Sequence, residues 1–209
     1  MNRRRFLLAS AGAAAGPLLS SCSLINQVAP VPTTVSVNMS QLYQVIEAQQ
    51  CSEWCWAAST SMVFAFHGYF LTQAQIVAAT FGAVACIPAY TDGVIGGVLS
   101  RNYVDDNGKP FSARVTAAFD AQNGIYSLNN ATLVNELANN RPLIYCNTTH
   151  CEVIYSVTYT GSAANPQVLE VDVVDPWPPN PRVHTLSEAE MIPAPLGGAM
   201  MFVAAVSVT

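Results

Sequence analysis

The chain has 209 residues, half of them apolar and a tenth charged, which suits one domain, or one domain of two lobes, with ample material for a core. Nothing in that composition points to disorder. Thirteen acidic residues against eight basic ones give a net charge of −5, and no basic stripe runs along the chain to follow a phosphate backbone, which argues against a nucleic-acid partner.

Residues 1–21 read as an export signal. Arg3, Arg4 and Arg5 make a basic start, and the apolar run from Phe6 to Leu19 is too short for a stable membrane span. Arg3-Arg4-x-Phe6-Leu7 resembles the twin-arginine export pattern, although a general secretory signal also begins with basic residues. Leu19-Ser20-Ser21-Cys22 resembles the processing box of bacterial lipoproteins. Cys22 is therefore the expected lipidation site, which would make this a membrane-anchored lipoprotein of the bacterial cell envelope, periplasmic or at the surface. An ordinary signal peptide with an incidental cysteine is the plainer alternative. Cleavage would remove three basic residues and no acidic one, leaving a net charge of about −8. Residues 22–34, with prolines and a polar end, suit a tether, and 35–209 form the domain.

Residues 53–140 carry mostly helical signals. Ser52 or Glu53 can open a helix with the body CWAASTSMVFAFH, stopped by Gly68. Thr72 can cap TQAQIVAATF, which Gly82 ends, and Asn130 can cap ATLVNELANN ahead of Arg141-Pro142. A Gly-rich stretch between them has a turn at Asp106-Asn107-Gly108. From Pro142 the pattern changes to LIYC, CEVIYSVTY, QVLEVDVV and AMMFVAAVSV, β-branched or alternating runs parted by turn residues. The last of these fits a buried closing strand. Helices first and strands afterwards predict an α+β domain with a cleft where the halves meet.

The chemistry concentrates in Gln49-Gln50-Cys51-Ser52-Glu53-Trp54-Cys55-Trp56-Ala57-Ala58-Ser59. A cysteine in the first turn of a helix sits where unpaired N–H groups and the macrodipole favour negative charge, and so favour the reactive thiolate. Gln49, in the loop feeding that helix, can aim its amide at a developing oxyanion. A helix start of this composition can equally be plain core.

Gln49 followed by Cys55-Trp56-Ala57 resembles the active-site segment of papain-like cysteine proteases, and the WCWAAS form is similar to the bacterial papain-like effector peptidases and, more distantly, to bacteriocin-processing peptidases. The resemblance covers 49–67 and 142–179; residues 68–141 carry no matching motif. It implies a helical N-terminal lobe, an antiparallel β lobe after it, and an active-site cleft between them. It further implies a cysteine-type peptidase that needs no cofactor and acts on a protein or peptide substrate. The family order of Gln, Cys, His and Asp or Asn points to Gln49, Cys55, His150 and Asp175.

The hairpin around GSAANP, residues 161–166, tests that order independently. Paired residues should have numbers adding to about 327, which sets His150 opposite residue 177 and near Asp175. One point opposes it. Matching the apolar faces of the two strands puts Asp175 beside Cys151 and away from His150, unless a bulge or a break at Asp175-Pro176 intervenes. His184 is the competing histidine, Asp172 the weaker acid, and His67 is expected to cap its helix. With Cys22 lipidated and Cys55 reduced, Cys51, Cys86, Cys146 and Cys151 remain. Three pairings are possible, and we expect Cys51 with Cys86 and Cys146 with Cys151. Zinc held by these thiols and a histidine is disfavoured because no CxxC pair occurs, so no metal is expected. A silent papain-like lipoprotein that binds peptides or a partner protein, and an acyltransferase or isopeptidase with the same residues, are the alternative readings.

Overall fold

The computed structural model describes residues 30–89 and 94–209, so the export signal and Cys22 lie outside the described residues. The helices are α1 (Met39–Leu42), α2 (Cys55–Phe66), α3 (Gln73–Phe81), α4 (Gly96–Val98), α5 (Asn130–Ala138) and α6 (Glu188–Met191). The strands are β1 (Thr33–Ser36), β2 (Asn102–Val104), β3 (Pro110–Asp120), β4 (Ile125–Tyr126), β5 (Leu143–Asn147), β6 (Cys151–Ser162), β7 (Asn165–Asp175), β8 (Arg182–Thr185) and β9 (Met200–Val208). No helix among the described residues is long and apolar enough to cross a membrane.

The strands form one antiparallel sheet in the order β2-β3-β9-β5-β6-β7-β8, with β1 on β6 and β4 on β3. The last strand of the chain lies in the middle of the order. Ala204 and Ala205 of β9 are fully buried and their neighbours Val203 and Val206 nearly so, which fits the expected closing strand. The architecture is α+β, with the long helix α2 packed against β5 and β6 on one side and α3 on the other. That double coverage explains why α2 has no polar face: Trp56, Met62, Val63, Phe64 and Phe66 are all buried. Its hydroxyls are accommodated locally, Thr60 donating to the Trp56 carbonyl and Ser61 to that of Leu71.

Helix ends follow side-chain chemistry with small corrections. Thr72 caps α3 through a reciprocal capping box with Gln75, and Gly82 ends it in the left-handed conformation. The cap of α5 is Asn129 rather than Asn130. Neither Ser52 nor Glu53 opens α2; the cap position is Trp54, with no side-chain cap bond. Its indole instead donates to the Ala85 carbonyl, and that of Trp56 to Ile87.

Two expectations change more. The stretch between α3 and α5 is not mostly helical, because β2, β3 and β4 occupy it. The alanines of β3 carry a weak strand signal, and pairing of β3 with β9 decides its conformation. The end of the expected tether is also structured: Thr33 and Thr34 pair with Tyr159 and Thr158 on β6.

The β6–β7 hairpin turns at Ala163-Ala164, with Ser162 opposite Asn165, as the turn signal predicts. Its ladder carries two bulges. Leu169 is the extra residue in β7, and Tyr155 the extra residue in β6. Between the bulges the apolar faces match, as in Val157 opposite Val171; beyond Tyr155 the pairing steps by one, to Val153 opposite Val174.

Cys51 is bonded to Cys86, and Cys146 to Cys151. Among the described residues Cys55 is the free cysteine. Non-reducing peptide mapping should recover both bridges with Cys55 alkylatable, and loss of either bridge should cost about 2–4 kcal/mol in denaturant unfolding. Scrambled pairs involving Cys55 in folded protein would contradict this arrangement.

Candidate active site

Cys55 is the first residue of α2, where the helix leaves N–H groups without helical acceptors. The loop before it is held from three sides. Gln49 N–H donates to the Pro176 carbonyl at 2.8 Å, just past the end of β7. Gln73, inside α3, accepts from Gln50 N–H and donates to the Ala48 carbonyl. The Cys51–Cys86 bridge ties the loop to the segment after α3. The nucleophile candidate therefore stands on a fastened helix start.

His150 sits in the short turn between β5 and β6, bracketed by the Cys146–Cys151 bridge. Asn147 shapes that turn, its carboxamide oxygen accepting from the N–H groups of Thr149 and His150. His150 Nε2 lies 2.7 Å from Asp175 Oδ1, and the ring also hydrogen-bonds Cys55. Nε2 being taken by the carboxylate, Nδ1 is the nitrogen left for the thiol. The bulge at Tyr155 is what permits this. Because the register steps there, the next position past Val153–Val174 sets Asp175 across from Glu152, on the face that His150 shares.

Asp175 is nearly buried, at 4% exposure, yet well supplied with donors. It accepts from His150, from Trp177 N–H at 2.9 Å and from Arg182 Nε at 3.1 Å. Burial would raise its pKa, but the bonds to His150, Trp177 and Arg182 outweigh that and hold it below its ordinary value. Burial likewise opposes the charged form of His150; the bonds to Cys55 and Asp175 overcome it and push its pKa up to about 9. The Trp177 ring stands edge-on to the imidazole at 5.6 Å.

Cys55, His150 and Trp177 line a cleft of about 110 Å³ between the lobes, with Asp175 behind the imidazole and outside the lining. Glu53, Trp56 and Pro88 contribute from the helical side, Thr148, His150 and Trp177 from the sheet side.

The other sequence candidates lie elsewhere or do something else. The Gln49 side chain is buried and is not part of the cleft lining. Its amide nitrogen donates to the Cys51 and Ser52 carbonyls at 3.0 and 2.8 Å, so the expected oxyanion donor is occupied in bracing the loop. The physical reason is that these two carbonyls turn inward and need a donor. His184 pairs with Glu152 at 2.8 Å rather than with Asp175. Asp172 accepts from Thr185, and His67 is the C-terminal cap residue of α2. Burial, with the Arg141 charge beside it, lowers the pKa of His67. Trp177, Arg182, Asn147 and Glu152 were not singled out from the sequence. Arg182 had a readable signal, since it follows Asp175 across a short Pro-rich turn.

Ligand-type atoms of His150, Glu152 and Asp175 lie within 4.8 Å of one another. His150 and Asp175 already satisfy each other, and the guanidinium of Arg182 occupies the second Asp175 oxygen. This is the chemistry of a hydrogen-bonded charge network rather than of a metal centre.

A thiol, an imidazole and a carboxylate in line across an interlobe cleft belong to the papain-like class. Residues 34–190 match the sequence model described as papain-like cysteine protease AvrRpt2, and the chain belongs to that family. No curated protein matches the chain. Among solved structures it is similar to the crystal structure of UfSP from C. elegans, at 18% identity and a TM-score of 0.42, over 89% of this chain and 36% of that one.

Because the Gln49 amide braces the loop, Gln49→Ala should lower unfolding stability by roughly 1–3 kcal/mol, the cost of stranding buried acceptors. Unchanged stability with lost turnover would instead return Gln49 to an oxyanion role.

Proposed function

We propose that the chain hydrolyses peptide bonds through Cys55, His150 and Asp175. The observation that carries this reading is the unbroken contact from the Cys55 thiol through His150 to Asp175. Cys55 gives its thiol proton to His150. Cys55 Sγ attacks the substrate carbonyl carbon, and the N–H of Cys55 at the helix start holds the oxyanion. As the C–N bond breaks, His150 passes its proton to the leaving amine, and a thioester remains. Water then attacks the thioester, giving its proton to His150, and the acid departs as the thiol is restored. Asp175 keeps the ring oriented and stabilises its cation.

The pH dependence follows from the histidine. Its protonated form is the acid of the first step and is lost as pH rises through about 9, so turnover should fall on the alkaline side near that value. Cys55→Ala should abolish turnover and labelling by iodoacetamide, and His150→Ala should reduce turnover by roughly 10²–10⁴-fold. A Cys55 that behaves as an inert thiol would refute the enzyme reading and favour peptide binding in the same cleft.

Export and anchoring belong to the same proposal. The basic start, the short apolar run and the Leu19-Ser20-Ser21-Cys22 box support a lipid on Cys22, and two disulfides suit an oxidising compartment. Cys22→Ala should move the protein from the membrane fraction to a soluble or unprocessed form. Mature wild-type protein without lipid, by mass spectrometry, would sink the anchoring.

A further inference from the structure

Beside His150 and Asp175 stands a second histidine–acid pair that the reaction above does not use. Glu152 is 3% exposed, in a strand whose following residues, Val153 and Ile154, are buried and apolar. Its Oε1 meets His184 Nε2 at 2.8 Å. Its other oxygen, Oε2, is buried without a hydrogen-bond partner. A buried carboxylate with an unpartnered oxygen is costly, and an apolar residue would fill the position without that penalty. The cost has a counterpart in placement, since the Glu152 carboxylate lies within 4.8 Å of the ligand-type atoms of His150 and Asp175.

We propose that Glu152, braced by His184, is a positioning residue of the catalytic site whose negative charge acts through His150, keeping the imidazole protonated and aligned between Cys55 and Asp175. The inference rests on the Cys55–His150–Asp175 reading.

The groups around Glu152 define its net effect. Tyr145 lies directly across on β5, its hydroxyl donating to the Glu190 carbonyl. Asp175 faces it from β7, and Arg182 lies opposite Asp175 on β8. His184 approaches from β8, and Glu190 of α6 is tied to Ser187 and Asn147. Burial and the neighbouring Asp175 disfavour the Glu152 anion, while His184 and His150 favour it; the balance raises its pKa. His184 is itself raised despite burial, by its bond to Glu152. Glu152 interacts electrostatically with both His150 and Asp175, while His184 is bonded to Glu152 and feels the Asp175 charge as well. Glu152 and Arg182 thus flank the His150–Asp175 pair, the carboxylate within 4.8 Å of both members and the guanidinium on the second Asp175 oxygen.

The test reads His150 itself. In mature protein labelled with ¹³C-histidine, the His150 resonance should titrate at lower pH in Glu152→Gln than in wild type, by roughly 0.5–2 pH units for a charge this close. The alkaline limb of turnover on a fluorogenic casein should move down by the same amount. An unmoved His150 midpoint with catalytic Cys55 would overturn this inference alone; an unreactive Cys55 in wild type would overturn the reading beneath it. Should Glu152→Gln not fold, wild-type protein supplies a second measurement. Coupled groups sense each other's protons, so the Glu152 carboxyl carbon, assigned through its own backbone, should show a step at the His150 midpoint. A flat carboxyl signal there would equally overturn the proposal.

Discussion

Tyr155 has no partner across the β6–β7 ladder, and the geometry of the site depends on that extra residue. Side chains on a strand alternate faces, so a one-residue step moves every later side chain to the opposite face. Without the step, the apolar match of Val157 with Val171 would continue and carry Asp175 to the face of Cys151. With it, Asp175 comes to the face of Glu152 and His150, and the 2.7 Å bond to the imidazole becomes possible. The bulge at Leu169 has the opposite sense, so the hairpin keeps an apolar face in its middle and a polar one at its end. Burial demands the first register and the ion pair the second; two bulges let one hairpin satisfy both.

What the bulge places, hydrogen bonding then makes tolerable. A carboxylate as buried as Asp175 needs donors for both oxygens, and it has His150 and Trp177 N–H on one and Arg182 on the other. Trp177 owes its position to Pro176, which cannot extend the ladder, so β7 ends at Asp175 and the chain bends back over the imidazole. The Pro176 carbonyl in turn receives Gln49 N–H, linking the end of β7 to the loop before Cys55. The two walls of the cleft are thus joined at the back by one short stretch, residues 175–177. A displacement of that stretch would move both the Asp175 carboxylate and the loop before Cys55.

Much of this was legible in the sequence, and the reasons for the rest are physical. The helix start at Cys55, the capping of α3, the hairpin turn and the disulfide partners all depend on local chemistry or on one counted separation. The bulges do not: Tyr155 and Leu169 resemble their neighbours, and only the balance between core packing and the ion pair selects them. β3 was hidden because its Ala-rich run becomes a strand through pairing with β9, some ninety positions further along the chain. Gln49 makes bonds that its sequence position does not announce. Its position ahead of Cys55 is as expected, but two inward carbonyls claim its amide.

The disulfides bear on the same balance from outside the charge network. Each fixes one of the two chain segments that must meet across the cleft: Cys51–Cys86 the loop leading to Cys55, and Cys146–Cys151 the turn carrying His150. A thiol–imidazole pair tolerates little misplacement, since proton transfer requires hydrogen-bond distance. Helices and strands can hold that distance only as well as the loops between them are held, and here both loops are cross-linked. Cys55 has to remain a free thiol while four other cysteines are oxidised. The fold separates these fates by geometry: each bridged cysteine faces a partner within reach, whereas Cys55 at the open start of α2 faces His150. The residues that stabilise the frame and the residue proposed to react are all cysteines, and their surroundings alone assign them different chemistry.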